Sequence, residues 1–151
     1  AKFKSKTKKI NINLKKEIKF KLEKKETFKN FYKRINLIKN NLFRLIKNIN
    51  QKKESIHAYG ASTKGNVLLQ YFNLSNKYIR FVAERNSKKY NLYTPGTKIK
   101  IISEKNSRYK KPDFYLVLPW HFRKEILKRE KKIRSKGTKF IFPLPKLEIV
   151  N

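Results

Sequence analysis

The sequence has no cysteine, no methionine, four glycines in 151 residues and two histidines, His57 and His121. Without cysteine there is neither a disulfide framework nor a thiolate zinc site. Two histidines are too few for a structural metal site built from histidine alone. No run of about 18 apolar residues occurs, which excludes a membrane-spanning helix. The N-terminus is too basic and too interrupted in its hydrophobicity to read as a secretory leader. A cytoplasmic protein with no membrane partner is therefore expected. A complete translation product ordinarily begins with methionine, so a chain that begins at Ala1 and contains none is expected to be a fragment of something longer.

Acidic residues are also scarce. Ten Asp and Glu face 41 Lys and Arg, a formal net charge of +31. Such a charge points to a nucleic acid or an anionic surface. Lysine, however, greatly outnumbers arginine and is spread along the whole chain, and asparagine and isoleucine are abundant too. These are the residues that AT-rich coding favours. Nucleic-acid readers lean instead on arginine, whose planar fork grips phosphate and guanine. The charge is read as compositional drift, with no specific nucleic acid as partner. A basic nucleic-acid-binding protein on the same frame is the alternative.

What is present is periodic. Residues 1–22 fit two patterns: Ile10, Ile12 and Leu14 alternate like a strand, whereas Ile10, Leu14, Ile18 and Leu22 recur like a helix. From Thr27, a plausible N-cap, Phe28, Phe31, Ile35, Ile38, Leu42, Leu45 and Ile49 follow a 3,4 spacing. That predicts a long amphipathic helix with a buried seam. From Ser55 the pattern changes. Short apolar runs at 55–59, 78–83, 98–102, 113–118 and 138–142 read as strands. Helices are expected at 64–72, with Val67, Leu68 and Tyr71 on one face, and at 122–135, capped by Gly137. Alternating strands and helices predict an α/β fold, a Rossmann-like parallel sheet with flanking helices, preceded by the long helix. Residues 1–54 form the basic segment and linker helix, and residues 55–151 the Rossmann-like domain.

In such a sheet, ligands bind at the carboxyl ends of the strands. Three segments are expected there. Gly60-Ala61-Ser62-Thr63-Lys64-Gly65-Asn66 joins the first strand to the first helix, where backbone N–H groups and one cation can hold an anion. The two glycines are expected to let backbone approach a phosphate. The loop is neither a G-x-G-x-x-G fingerprint nor a P-loop, because Asn66 and Val67 stand where Lys and Ser/Thr are required. A ligand-free tight turn is the competing reading. Glu84-Arg85-Asn86 ends the second strand, where an acid commonly meets a ribose. Ion pairing of Glu84 with a neighbouring cation is the alternative. Trp120-His121 follows the fourth strand. Trp120 could stack on a ring or pack in the core, and a lone His121 without a carboxylate is weak support for acid–base chemistry.

These segments, with Tyr93-Thr94-Pro95-Gly96-Thr97, Val117-Leu118-Pro119-Trp120-His121-Phe122-Arg123 and Phe140-Ile141-Phe142-Pro143-Leu144-Pro145, resemble one family. They look like the C-terminal domain of S-adenosylmethionine-dependent sugar C-methyltransferases, from about Ser55 to Val150, and the preceding helix resembles that family's linker helix. The resemblance implies a three-part enzyme of deoxysugar biosynthesis: a cysteine-bearing zinc domain, a methyltransferase domain that holds S-adenosylmethionine and the acid–base residues, and this domain closing over a nucleotide-linked sugar. It implies no catalytic residue, zinc or S-adenosylmethionine in the present chain. The missing domains and the nucleotide sugar are its expected partners. His121 stands where asparagine is expected in many relatives.

Overall fold

The computed structural model describes residues 2–151, with side chains from Thr7 onward. The chain divides into two compact units, residues 1–37 and 38–151. The first contains helix α1 (Lys2–Lys19) and the start of α2 (Lys25–Gln51). The helical pattern in residues 1–22 therefore wins over the strand pattern. α1 closes with Lys21 in the left-handed region and Leu22 N–H donating to the Glu17 carbonyl at 3.0 Å, a Schellman arrangement that satisfies an orphan carbonyl. Thr27 does not cap α2, which begins two residues earlier; its hydroxyl donates to the Lys21 carbonyl at 2.8 Å.

The second unit is built on a six-stranded sheet. Its strands are β1 (Ile56–Tyr59), β2 (Phe81–Glu84), β3 (Lys100–Ser103), β4 (Phe114–Val117), β5 (Lys139–Phe142) and β6 (Glu148–Val150). The spatial order is β3-β2-β1-β4-β5-β6, with β1 to β5 parallel and β6 antiparallel on the edge. The predicted parallel α/β sheet is thus present. The edge strand β6 and the short helix α4 (Glu104–Tyr109) are additions to the expected set. Helix α3 (Thr63–Tyr71) connects β1 to β2, and α4 connects β3 to β4. The single helix expected at 122–135 is broken into α5 (Arg123–Arg129) and α6 (Lys131–Arg134) after a 3-10 turn at Trp120–Phe122. The break falls at Glu130, which is drawn into the interior. Gly137, at φ +100°, follows α6 as expected. No helix among the described residues is long and apolar enough to cross a membrane.

Alternation along the strands sends successive side chains to opposite faces. Ile56, Ala58, Val82, Leu116 and Ile141 form one apolar, buried face. The other combines Tyr59, Tyr115, Val117, Phe140 and Phe142 with Ile126 of α5 and Ile133 of α6. This second face also carries a buried polar network. Tyr59 donates to Glu130 Oε1 at 2.7 Å, and Arg108 Nε to Glu130 Oε2 at 2.9 Å. His57 Nδ1 and Tyr115 OH both meet Ser107 Oγ, at 2.8 and 2.7 Å. Burial, with Arg80 and Lys110 nearby, lowers His57 to about 4, so its ring is neutral at physiological pH.

Two helix faces differ from those the spacing predicts. On α3 the buried residues are Gly65, Leu68 and Leu69, followed by Phe72, while Val67 and Tyr71 are exposed. On α2 the buried residues are Leu42, Ile46 and Ile49; Leu45 is half-buried, and Phe28 and Phe31 are exposed. A strict seven-residue seam drifts around a straight helix of 3.6 residues per turn. The buried stripe follows the 4,3 step from Leu42 through Ile46 to Ile49 instead. Ile46→Ala should therefore cost about 2–5 kcal/mol, Leu45→Ala less, and Phe31→Ala no more than about 0.5 kcal/mol. Urea unfolding of the three variants measures this. A larger loss for Leu45→Ala than for Ile46→Ala would put the wrong residue in the core.

Candidate functional site

The strand order reverses between β1 and β4, the switch point of a doubly wound sheet, and ligands of such sheets bind beside the carboxyl ends of the strands. The loop after β1 lies on that edge. Gly60, at φ +84°, donates to the Ala83 carbonyl at 2.8 Å. Ser62 caps α3 by accepting from Gly65 N–H at 3.1 Å. Glu84, closing β2, holds the loop in place. Its Oε2 accepts from Ala61 N–H at 2.7 Å, and its Oε1 from the N–H groups of Arg85 and Asn86 at 2.8 and 2.9 Å. Burial on its own would raise the Glu84 pKa. The N–H groups of Asn86, Ala61 and Arg85, with the Lys89 ammonium, outweigh it and hold the carboxyl below its ordinary value. Lys89 Nζ donates to the Ala61 carbonyl at 2.8 Å, a second tie on the same residue.

The connection from β2 to β3 holds no α-helix. A 3-10 turn at Ser87–Lys89 is capped by Asn86, whose side chain accepts from Lys88 N–H. The chain then folds back on β3. Asn91 and Ile101 N–H groups donate to the carbonyls of Ile101 and Leu92, and Tyr93 bridges Lys100. Thr94 and Thr97 tighten the turn through hydroxyls 2.6 Å apart. Between this loop and the start of α3 lies a cavity of about 320 Å³, with Ser62, Thr63, Asn66, Lys89, Tyr93 and Pro95 among its lining. A second hollow, about 310 Å³, lies between Gly60, Glu84, Arg85, Pro119 and Phe122. A larger one, about 650 Å³, is lined by Arg108, Asp113, Glu130 and Thr138; it includes residues that precede β4 and β5 and so opens toward the other end of those strands. Doubly wound sheets place ligands at the carboxyl ends instead, and Arg108 and Glu130 are already paired with each other.

The residues expected at the site separate accordingly. Ala61, Ser62, Thr63 and Asn66 line the first cavity. Gly60, Glu84 and Arg85 line the second. Lys64 is exposed on the first turn of α3 and lines neither. Trp120 is half-buried against the core, and exposed His121 lies against Phe122, the rings tilted 46° with centroids 4.4 Å apart. Both lie outside the two cavities. Gly65 also has a packing role. A Cβ there would stand 2.6 Å from Leu118 Cβ, so Gly65 lets α3 press against the end of β4. A Cβ on Gly60 would meet Pro119 at 3.0 Å. Lys89 was not singled out from the sequence, and nothing in the sequence distinguishes it from the other lysines. Tyr93 and Pro95 carried a signal in the Tyr93–Thr97 motif. Among the described residues, no three His, Asp or Glu side chains cluster as metal ligands do.

Strand order, parallel pairing and edge loops together define a Rossmann-type doubly wound domain. The chain belongs to the C-methyltransferase C-terminal domain family, whose model matches residues 1–145. It is 32% identical over 107 residues to C-methyltransferase NovU of Streptomyces niveus, a match covering 71% of this chain and 26% of that protein. The chain thus spans about a quarter of the length of this curated relative.

Glu84 should be needed for the shape of the loop. Glu84→Gln removes the charge and one of two accepting oxygens, and should cost about 2 kcal/mol. Because the carboxyl is held below its ordinary value in the fold, its contribution is complete above that ordinary value and is lost as pH falls through the folded one. Denaturation followed between pH 7 and pH 3 should show a shallower acid loss in Glu84→Gln than in the parent. Identical slopes would mean that the carboxylate does not hold the loop.

Proposed function

We propose that this domain binds the nucleotide-linked sugar of an S-adenosylmethionine-dependent sugar C-methyltransferase of deoxysugar biosynthesis. The observation that carries this reading is the cavity beside the start of α3, whose lining Lys89 shares with Ser62 and Thr63. The first N–H groups of a helix have no intrahelical acceptor and point outward, and the helix dipole favours an anion there. A diphosphate beside Lys89 would meet both. Tyr93, 60% exposed at the cavity wall, offers a ring face to a base or sugar. A cavity of about 320 Å³ suits part of a nucleotide sugar, with the remainder reaching outward toward the rest of an enzyme.

S-adenosylmethionine supplies the methyl group when bound, and this domain's own loops do not fit it. The loop after β1 lacks the G-x-G-x-x-G spacing. Glu84, at the position where a dinucleotide fold reaches the ribose, has both oxygens occupied by backbone N–H groups. The work assigned to this chain is gripping and orienting the acceptor sugar through its nucleotide. S-adenosylmethionine, zinc and the acid–base groups are assigned to other parts of the enzyme.

Calorimetric titration of the chain with nucleotide sugars tests the reading. Lys89→Ala should weaken binding about tenfold, the equivalent of about 1.4 kcal/mol. Lys131→Ala, an exposed α6 lysine, should leave binding unchanged and so controls for the general cationic background. Lys64→Ala separates the cation expected from the sequence from the one lining the cavity. Equal losses for Lys89→Ala and Lys131→Ala would reduce the binding to nonspecific attraction.

A further inference from the structure

The cavity of about 650 Å³ takes no part in the reading above. It is built where the chain enters two neighbouring strands: residues 111–113 lead into β4, Gly137 and Thr138 lead into β5, and α6 adds Lys132 and Ile133. Its size falls within the range of roughly 300–1,000 Å³ usual for small-molecule sites. Two carboxylates line it, and both are committed. Asp113 Oδ2 accepts from the Ser55 N–H and hydroxyl at 2.7 and 2.8 Å, and Glu130 accepts from Tyr59 and Arg108. The two guanidiniums of the lining are committed as well, since Arg108 and Arg129 also pair with Glu104, at 2.8 and 3.0 Å. The charge left over belongs to three exposed lysines, Lys111, Lys132 and Lys136, none of which is within ion-pair distance of a described carboxylate. A cleft lined by one sign of charge focuses its field and concentrates counter-ions. Ammonium groups are compact point charges that accept carboxylate or phosphate without demanding a planar fit. Pro112 and Ile133 add apolar surface to the lining, which favours a ligand with a carbon frame over a bare inorganic ion.

The geometry points to a second ligand site in this cavity, taking a compact organic anion that bears three carboxylate or phosphate groups, one for each of Lys111, Lys132 and Lys136. The Arg108–Glu130 pair serves as fixed wall, and the lysines meet the ligand. The site opens at the entry to β4 and β5, away from the strand ends where the nucleotide sugar is placed, so it stands independently of that reading.

Calorimetry on the full chain at about 150 mM salt, where distant surface charges are screened, tests this with three probes. Citrate carries three carboxylates, inositol 1,4,5-trisphosphate carries three phosphates on a carbon ring, and inorganic tripolyphosphate has no carbon frame. Saturable binding of citrate or of the inositol phosphate is expected, and the tighter of the two names the acid group. Lys132→Glu and Lys136→Glu should each weaken that probe about tenfold. Lys124→Glu makes the same change of net charge on α5, outside the lining, and should leave binding within about twofold. All three lysines are exposed, so melting temperatures should stay at the parent's value and separate lost binding from lost fold. Lys89→Ala should leave the probe's affinity unchanged, and a nucleotide sugar should not displace it. Absence of saturable binding by both organic probes overturns the inference, as does an equal loss in Lys124→Glu. Tripolyphosphate binding more tightly than both also overturns it, because the apolar lining would then have no part. Displacement by a nucleotide sugar, or loss in Lys89→Ala, would put the probe in the other cavity and overturn this inference while leaving the nucleotide-sugar reading intact.

Discussion

The carboxylate of Glu84 gathers three backbone N–H groups at the end of β2, one from the loop after β1 and two from the residues that follow it in sequence. Two strands of the parallel sheet are adjacent there, and Gly60 N–H completes the join on the Ala83 carbonyl. The start of α3, its Ser62 cap and the position of Ala61 all depend on this tie. Lys89 then uses the Ala61 carbonyl as its anchor, so the cation of the cavity is placed by the same arrangement. A charged acceptor forms stronger hydrogen bonds than a neutral one. That is why an acid at the end of β2 can act as a loop clamp here, where related topologies use the position to meet a ribose.

The two faces of the sheet solve burial differently. One is apolar and needs only shape. The other buries His57, Tyr59 and Tyr115 with Ser107, Arg108 and Glu130, and Glu130 is only 2% exposed. A buried ion pair adds little net stability, but losing one partner is costly, about 3–5 kcal/mol. The network therefore specifies where α4 and the break between α5 and α6 must sit more than it strengthens the fold. With His57 held neutral and Glu130 held ionised by Arg108 and Tyr59 against its own burial, these groups are locked as structure and take no part in the cavity on the sheet edge.

The parallel sheet was legible in the sequence because each of its five parallel strands overlaps a short apolar run, and burial on both faces demands that pattern. β6 was not, since Glu148-Ile149-Val150 is a three-residue edge strand with one large apolar side chain left exposed. Scarce glycine was a sound guide: Gly60 and Gly137 sit at positive φ, and Gly65 sits where Leu118 leaves no room. The same scarcity hid other turns. Lys21, Lys53, Asn73, Asn91, Lys98 and Lys111 all adopt left-handed backbone, at φ between 47° and 64°, where glycine is the usual choice. Asparagine tolerates that conformation better than lysine does, but neither can be told from the abundant Lys and Asn elsewhere. For the candidate site, topology brought the expected loops to one edge. It could not distinguish Lys89 from Lys64, nor show that Trp120 turns inward, because both depend on how the β2–β3 connection and the turn after β4 fold back.

The proposed nucleotide-bearing ligand would enter between the start of α3 and the loop before β3. Titrating an isotope-labelled chain with a nucleotide sugar while recording amide chemical shifts tests it most directly. Binding there gives saturable shifts concentrated at Ala61–Asn66, Lys89 and Tyr93, with Trp120, His121 and the α6 lysines little changed. Shifts spread evenly over the lysine-rich surface, or centred on Arg108 and Lys136 around the larger cavity, would contradict it.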